Sequence, residues 1–365
     1  MKVAIIHYWL VNWRGGEKVL EELCRLFPQA DIYTHVVDPL AIGNKLREHK
    51  IRTSFIARLP WARRFYQWYL PLMPQALENL DLSAYDLVIS SESGPAKGVL
   101  TAPHAVHICY CHTPMRYVWN MYSEYRSGSN RFMRFLISPL FHYLRIWDYC
   151  TAARVDYFVA NSSAVAARIE KYYRRNSTVI PPPVDVARFQ GQTSVDDGFY
   201  LCCGELVGYK RVDQAIEACN RLGRKLIVVG GGEYLPQLRK SAGPTVEVLG
   251  RQSDDVVTDY YRRCRALLFP GEEDFGIVPL EAMAAGKPVI AFGRGGACDT
   301  VSNGVTCILY QEQSVEHLMS AILQFEQTRE RFVPQAIIAW AARFSAERFR
   351  EKFGHFVRNT MERRA

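Results

Sequence analysis

The sequence predicts an α/β protein built of two doubly wound parallel-sheet domains that face each other across a cleft. Three observations carry the prediction. Short β-branched runs alternate with amphipathic helical stretches from one end of the chain to the other, the pattern of parallel strands wrapped by helices. The run Pro181-Pro182-Pro183 can continue neither a helix nor an interior strand, and a polar, turn-rich stretch follows it through Phe189 to Gly198. The strand–helix rhythm then restarts. A chain of 365 residues is the right size for two ordinary domains.

In the first half the strand candidates are Val3–Trp9, Asp31–Val36, Leu87–Ser90, Ala105–Cys111, Tyr157–Ala160 and Thr178–Ile180, each short and rich in β-branched or aromatic residues. Glu17–Phe27 and Ala164–Tyr173 carry helical periodicity between them. In the second half the strands read Phe199–Cys203, Lys225–Val229, Val246–Leu249, Ala266–Phe269, Pro288–Ala291 and Cys307–Tyr310, with helices such as Asp213–Leu222 and Val278–Ala285 in the gaps. A last helical region runs from Pro334 to the C-terminus. The expected domains are residues 1–185 and 186–345, with a helix of about 346–365 packing back on the first. Ligands of such sheets bind at the carboxyl ends of the strands.

Apolar residues make up 48% and charged residues 22% of the chain, the balance of a globular protein. No apolar run approaches the roughly 18–20 residues that span a bilayer, and Val3–Leu10 lacks the cleavage site of a signal peptide, so a cytoplasmic location is expected. The ten cysteines form no CxxC pair, which favours buried, reduced thiols over zinc or disulfides. The net charge of +8 is uneven: residues 1–185 hold 22 Lys and Arg against 15 Asp and Glu, and the remainder 23 against 22. Positive excess on the first half points to an anionic partner there, whether membrane, phosphorylated acceptor or nucleic acid.

Two glycine turns follow strands directly: Arg14-Gly15-Gly16 and Gly230-Gly231-Gly232. Either could let backbone approach a phosphate at a helix N-terminus, although strand-to-helix turns need glycine anyway, and neither is a GxGxxG or P-loop fingerprint. The stronger signal runs from Gly271 to Ile290. There a strand ends in an acidic loop, and the amides of Gly276, Ile277 and Val278 open a helix, an arrangement that suits a pyrophosphate. Glu273 in the loop and Glu281 one turn into the helix bracket that anion site. An ordinary acidic helix start fits the same residues.

The stretch Arg58–Met73 combines Arg58, Arg63 and Arg64 with Trp61 and Trp68, and Glu48 is the only acid from Lys45 to Met73. A basic, aromatic helix of this kind suits a membrane interface; a helix whose aromatics enter the core while its arginines face solvent fits too. Nucleic-acid binding needs the same ingredients but is not expected. Asp254-Asp255 reads as a solvated helix start. No Asp-x-Asp flanked by apolar strand residues and no Ser-His-Asp arrangement is legible.

Glu273, seven intervening residues, Glu281 and then Ala-Met-Ala-Ala-Gly-Lys-Pro-Val-Ile resemble the signature of glycosyltransferase family 4, retaining enzymes of the GT-B fold. The resemblance extends to the first glycine loop, Cys111-His112-Thr113-Pro114-Met115-Arg116-Tyr117, Pro181-Pro182-Pro183-Val184-Asp185, Tyr209-Lys210-Arg211-Val212-Asp213, Gly250-Arg251 and Gly293-Arg294-Gly295-Gly296. It is strongest toward bacterial mannosyltransferases of lipopolysaccharide and exopolysaccharide synthesis.

The resemblance implies catalytic roles for Glu273, His112 and Lys210. Lys210 neutralises the departing phosphate, His112 lies beside the transferred sugar, and Glu273 binds sugar hydroxyls. Gly15, Gly16, Arg211, Arg251, Gly276, Ile277, Val278 and Glu281 fall among the donor-binding residues, Glu281 toward the ribose, and Arg116 falls on the acceptor side. It further implies a nucleotide-sugar donor (GDP-mannose first, a UDP-sugar second), a polyprenyl-diphosphate-linked saccharide acceptor, no cofactor or metal, and work at the inner face of the cell membrane. A nucleotide-sugar epimerase or an inactive binding module of the same fold are the rival readings. One position departs: many relatives carry arginine where this chain has Glu205, and a glutamate cannot share a phosphate with Lys210.

Overall fold

The computed structural model describes residues 1–123, 131–189 and 195–364. The chain divides into two compact units, residues 1–182 with 349–365, and residues 183–348.

The first unit is a seven-stranded, all-parallel sheet of β1 (Val3–His7), β2 (Asp31–Thr34), β3 (Ile51–Thr53), β4 (Leu87–Glu92), β5 (Val106–Cys111), β6 (Tyr157–Ala160) and β7 (Ser177–Val179). Its order is β3-β2-β1-β4-β5-β6-β7. β4 and β5 are buried along their whole length, as strands covered by helices on both faces must be. Helices Gly15–Leu26, Arg131–Thr151 and Ser163–Tyr173 belong to this unit. The helix Ala346–Glu362 returns to it: Phe349, Phe353 and Val357 join the core formed by Val3, Ile5, Leu20 and Ile108. Truncating the fully buried Phe353 removes about 3–5 kcal/mol.

The second unit is a six-stranded parallel sheet of β8 (Phe199–Cys203), β9 (Lys225–Val229), β10 (Val246–Gly250), β11 (Ala266–Phe269), β12 (Val289–Phe292) and β13 (Cys307–Tyr310). The order is β10-β9-β8-β11-β12-β13. Strand order reverses at β1/β4 in one unit and at β8/β11 in the other, and such reversals open crevices at the carboxyl ends of the strands.

The structure differs from the sequence reading at three points: β3, the stretch Arg58–Met73 and two of the cysteines. β3 has only three residues, two of them exposed, so no hydrophobic run announces it. The expected helical region from Pro334 onward consists of Pro334–Ala341, the 3-10 turn Ala342–Phe344 and Ala346–Glu362. Arg58–Met73 is not one helix but is broken into Phe55–Arg58, Ala62–Phe65 and the 3-10 helix Tyr66–Leu72; Pro60 separates the first two, and Trp61 beside it adopts a left-handed φ of 55°. All ten cysteines are free, and Cys150 and Cys298 are exposed rather than buried. No described helix is long and apolar enough to cross a membrane.

Candidate active site

In the second unit the loops leaving β8 and β11 run side by side because their strands are neighbours. Gly271 makes the approach possible: a Cβ there would lie 2.7 Å from the Lys210 Cα. Lys210 thereby reaches the acidic loop, and its Nζ sits 2.9 Å from Glu273 Oε1, with the side chains 15% and 19% exposed. Burial alone would lower the lysine's pKa, but attraction to Glu273 outweighs it and holds the ammonium above its ordinary range. Gly204, at φ 127°, underlies the charge; a Cβ on it would stand 3.4 Å from Lys210 Nζ and 3.7 Å from Val278 Cγ2. The ammonium is thus set beside the first turn of the helix Ile277–Ala284.

That helix begins at Gly276, whose φ of 98° is left-handed and which provides no side-chain cap. The opening amides of a helix have no partner within it, and they carry the positive end of its dipole. Glu281 lies one turn on, and its Oε2 accepts a 3.0 Å hydrogen bond from the hydroxyl of Tyr261, a ring buried in the unit's core. The Gly293–Gly296 turn supports the acidic loop from behind: the Gly296 amide donates to Glu273 O at 2.8 Å. A Cβ on Gly296 would lie 2.3 Å from Asp274 O. Lys210, Glu273, Val278 and the helix start therefore form one cluster, a cation and free amides for an anion with carboxylates for hydroxyl groups at its edge.

Other predicted donor residues stand differently. Arg211 also has a left-handed φ, 51°, and pairs with Asp213 at 3.3 Å. Arg251 is exposed and lies against Gly231. Gly230 and Gly232 approach protein rather than being reserved for a ligand: Cβ atoms there would meet Gly204 O at 1.8 Å and Leu206 O at 2.2 Å. Glu205 is exposed and contributes to the field that raises Lys210.

In the first unit the structure brings Gly16 and His112 together; a Cβ on Gly16 would lie 3.8 Å from His112 Nε2 and 2.8 Å from the Tyr8 hydroxyl. Gly15 is the first residue of its helix, where the Glu17 carboxylate accepts from the Arg14 amide at 2.8 Å. His112 Nε2 hydrogen-bonds Ser91 Oγ at 2.9 Å, and Ser91 Oγ bonds His7 Nδ1 at 3.1 Å. His7 Nε2 faces Glu17 Oε1 at 3.8 Å. One hydroxyl serves two imidazoles, so it donates to one ring and accepts from the other. Burial, helped by His7, drives the His112 pKa down to about 3, which makes it a neutral hydrogen-bonding group. Arg116 is half-buried on the loop after β5.

Sequence reasoning missed the partners of these groups. Tyr261, Ser91 and His7 carry no motif. Nor does the buried trio in which Lys97 Nζ pairs with Glu92 Oε1 at 3.0 Å and with Asp148. Asp148 also accepts from Trp119 Nε1 at 2.7 Å and Tyr173 OH at 2.9 Å, tying down the loop that bears His112 and Arg116. Burial pushes the Glu92 carboxyl up to about 7. No group of three or more metal-ligating side chains occurs among the described residues.

Residues 184–337 match the family described as Glycosyl transferases group 1, and residues 13–188 match Glycosyltransferase Family 4. The chain belongs to glycosyltransferase family 4. Curated relatives of this family-4 protein include the GDP-mannose-dependent alpha-(1-6)-phosphatidylinositol monomannoside mannosyltransferase of Mycobacterium tuberculosis, 30% identical over 42% of this chain and 48% of that protein. The O-antigen chain mannosyltransferase C of Escherichia coli is 23% identical over 58% and 62%. The matches span about half the length of these relatives. Among solved structures, a lipopolysaccharide outer core galactosyltransferase, WaaB, superposes with a TM-score of 0.71 at 18% identity, over 99% of this chain and 100% of that one. HepE of Anabaena in complex with UDP-glucose gives 0.71 at 17%, over 98% and 100%. The family-4 chain thus has the GT-B architecture, two parallel α/β sheets.

Proposed function

We propose that this family-4 protein is a retaining glycosyltransferase that moves mannose from GDP-mannose to a polyprenyl-diphosphate-linked saccharide, without a metal ion, at the inner face of the cell membrane. The observation that carries the reading is the Lys210 ammonium held between Glu273 and the open N-terminus of Ile277–Ala284. A donor diphosphate would take the place of Glu273 as the partner of Lys210 and would meet the amides of Gly276, Ile277 and Val278. Glu273, released, would accept from sugar hydroxyls, and Glu281, oriented by Tyr261, from the ribose. As the bond from the anomeric carbon to the diphosphate oxygen breaks, the acceptor oxygen bonds that carbon on the same face. Its proton passes to the departing diphosphate. Charge grows on the diphosphate, where a fixed cation and helix dipole act most strongly. The resemblance assigns His112 to the transferred sugar and Arg116 to the acceptor.

The donor named for the mycobacterial relative supports GDP-mannose; the HepE complex supports a UDP-sugar as the second candidate. Membrane association is supported by the outward placement of Trp61 and Trp68, 73% and 75% exposed, beside exposed Arg58, Arg63 and Arg64. Thermal shift with nucleotides and nucleotide sugars in chelator tests the reading. GDP-mannose at about 100 times its dissociation constant stabilises by about 2.7 kcal/mol, and slow hydrolysis of the bound sugar nucleotide follows. A strict need for magnesium or manganese would remove the metal-free mechanism. Interconversion of free nucleotide sugars without acceptor would favour an epimerase, and binding without hydrolysis or transfer an inactive module.

A further inference from the structure

A cavity of about 270 Å³ in the first unit is lined by Trp9, Gln67, Leu70, Tyr117 and Phe141, and none of the sequence signals assigns it a role. Its walls come from four places. Trp9 lies on the loop after β1, two residues beyond His7. Tyr117 follows Arg116 on the loop after β5. Gln67 and Leu70 belong to the broken aromatic stretch, and Phe141 to the helix Arg131–Thr151. The rings are held in pairs, Trp9 with Tyr66 at 4.8 Å and Tyr117 with Phe141 at 5.8 Å between centroids. The cavity is close to the predicted reacting end. Tyr8 bridges them, its ring 4.6 Å from Trp9 and its hydroxyl against Gly16, next to His112.

Both segments that supply the outer walls turn unusual faces to solvent. On one, Trp61, Trp68 and Leu72 are exposed together with Arg63 and Arg64. Trp61 does so from a left-handed backbone, which costs a bulky residue about 1–2 kcal/mol. On the other, Phe135, Tyr143, Ile146 and Tyr149 are all at least half exposed, Phe135 at 77%. Their spacing of eight, three and three places them along one stripe of the helix. Globular proteins rarely leave such stripes uncovered.

We propose that the cavity receives the aliphatic chain of a lipid-borne acceptor, with the two exposed ridges resting in the membrane surface from which that chain rises. The inference rests on the transferase reading above. The chemistry of the lining decides the occupant. A saccharide needs several hydrogen-bonding groups, whereas these walls offer mainly rings and Leu70, and the Tyr117 hydroxyl is already engaged with Met115 Sδ at 2.8 Å. An isoprenoid needs only apolar contact, and its diphosphate would meet the cations on the exposed segment.

The test is calorimetric titration of the whole protein with dimethylallyl, geranyl and farnesyl diphosphate, and with inorganic diphosphate. Each buried methylene tightens binding roughly fourfold, so farnesyl diphosphate should bind at least tenfold tighter than dimethylallyl diphosphate, with a negative heat-capacity change. Leu70→Arg should erase the dependence on chain length. Gln67→Trp, at an exposed position, should do the same by filling the mouth, with the melting temperature checked for both. Equal affinity for all four ligands would overturn the proposal. So would a lipid-free oligosaccharide that competes as well as farnesyl diphosphate. Chain-length dependence without any nucleotide-sugar binding or turnover would keep the cavity and remove the transferase reading; the reverse would remove the cavity alone.

Discussion

Lys210 and Glu273 allow stability and catalysis to be separated in one experiment. The pair is 2.9 Å apart and both side chains are mostly buried. Coulomb's law gives about 6 kcal/mol at that distance for an effective dielectric of about 20, and about 1.4 kcal/mol for water. Desolvation offsets much of the larger figure, so a coupling of about 1–3 kcal/mol is expected from a double-mutant cycle. Lys210→Met leaves the carboxylate of Glu273 in a poorly solvated place and should destabilise the protein; Glu273→Gln strands the ammonium with a similar result. The double variant removes both charges and should recover most of the lost stability. Activity should behave otherwise. In the mechanism Lys210 acts on the diphosphate as it leaves, so the double variant should stay as slow as Lys210→Met, down by about a hundredfold or more in kcat. Urea unfolding and steady-state kinetics on the four proteins measure both. If the double variant regained turnover along with stability, Lys210 would be a structural partner of Glu273 only. If Lys210→Met changed KM and left kcat intact, its place at the leaving group would be wrong.

Three further outcomes follow from the geometry. Glu281→Ala should chiefly weaken nucleotide binding, and Tyr261→Phe should weaken it less, since the hydroxyl orients Glu281 without meeting the ligand; equal losses measured by calorimetry would contradict that order. Replacing Arg58, Arg63 and Arg64 with glutamine should reduce co-sedimentation with anionic liposomes by up to about 3 kcal/mol, with residual binding through Trp61 and Trp68, and equal binding to neutral and anionic vesicles would refute the basic interface. Burial holds His35 and His112 near a pKa of about 3 and His107 near about 4, all depressed from about 6.5 in the unfolded chain. Below pH 6.5 the unfolded state therefore binds more protons, and stability falls as pH drops toward 4, by up to about 1.4 kcal/mol per pH unit for each ring. A urea midpoint that does not move between pH 7 and pH 5 would show that these rings are not buried neutral.

Much of the fold was legible because it depends on local pattern. β-branched runs, helical periodicity and the proline run together mark two parallel α/β sheets, since burial on both faces demands near-continuous apolar strands. The signature from Glu273 to Ile290 was legible for the same reason: a strand end, an acidic loop and a glycine that begins a helix are contiguous in the chain. Where the local signal is weak the reading failed, as at the three-residue β3 and at Arg58–Met73, where Pro60 and the left-handed Trp61 break what composition presents as a helix.

Tertiary structure alone decided which atoms meet. Ser91 joins His7 across 84 positions and His112 across 21, Asp148 reaches Lys97 across 51, and Tyr261 reaches Glu281 across 20. Periodicity describes which face of an element is apolar, but not which distant loop lies against it. It could not say that Gly230 and Gly232 make room for backbone while Gly204 lies under an ammonium, because that distinction rests on which strands are neighbours. Nor could composition show that the tryptophans of Arg58–Met73 point outward and its tyrosines inward. That choice is made by the free energy of packing the whole unit, to which each residue contributes through neighbours remote in sequence.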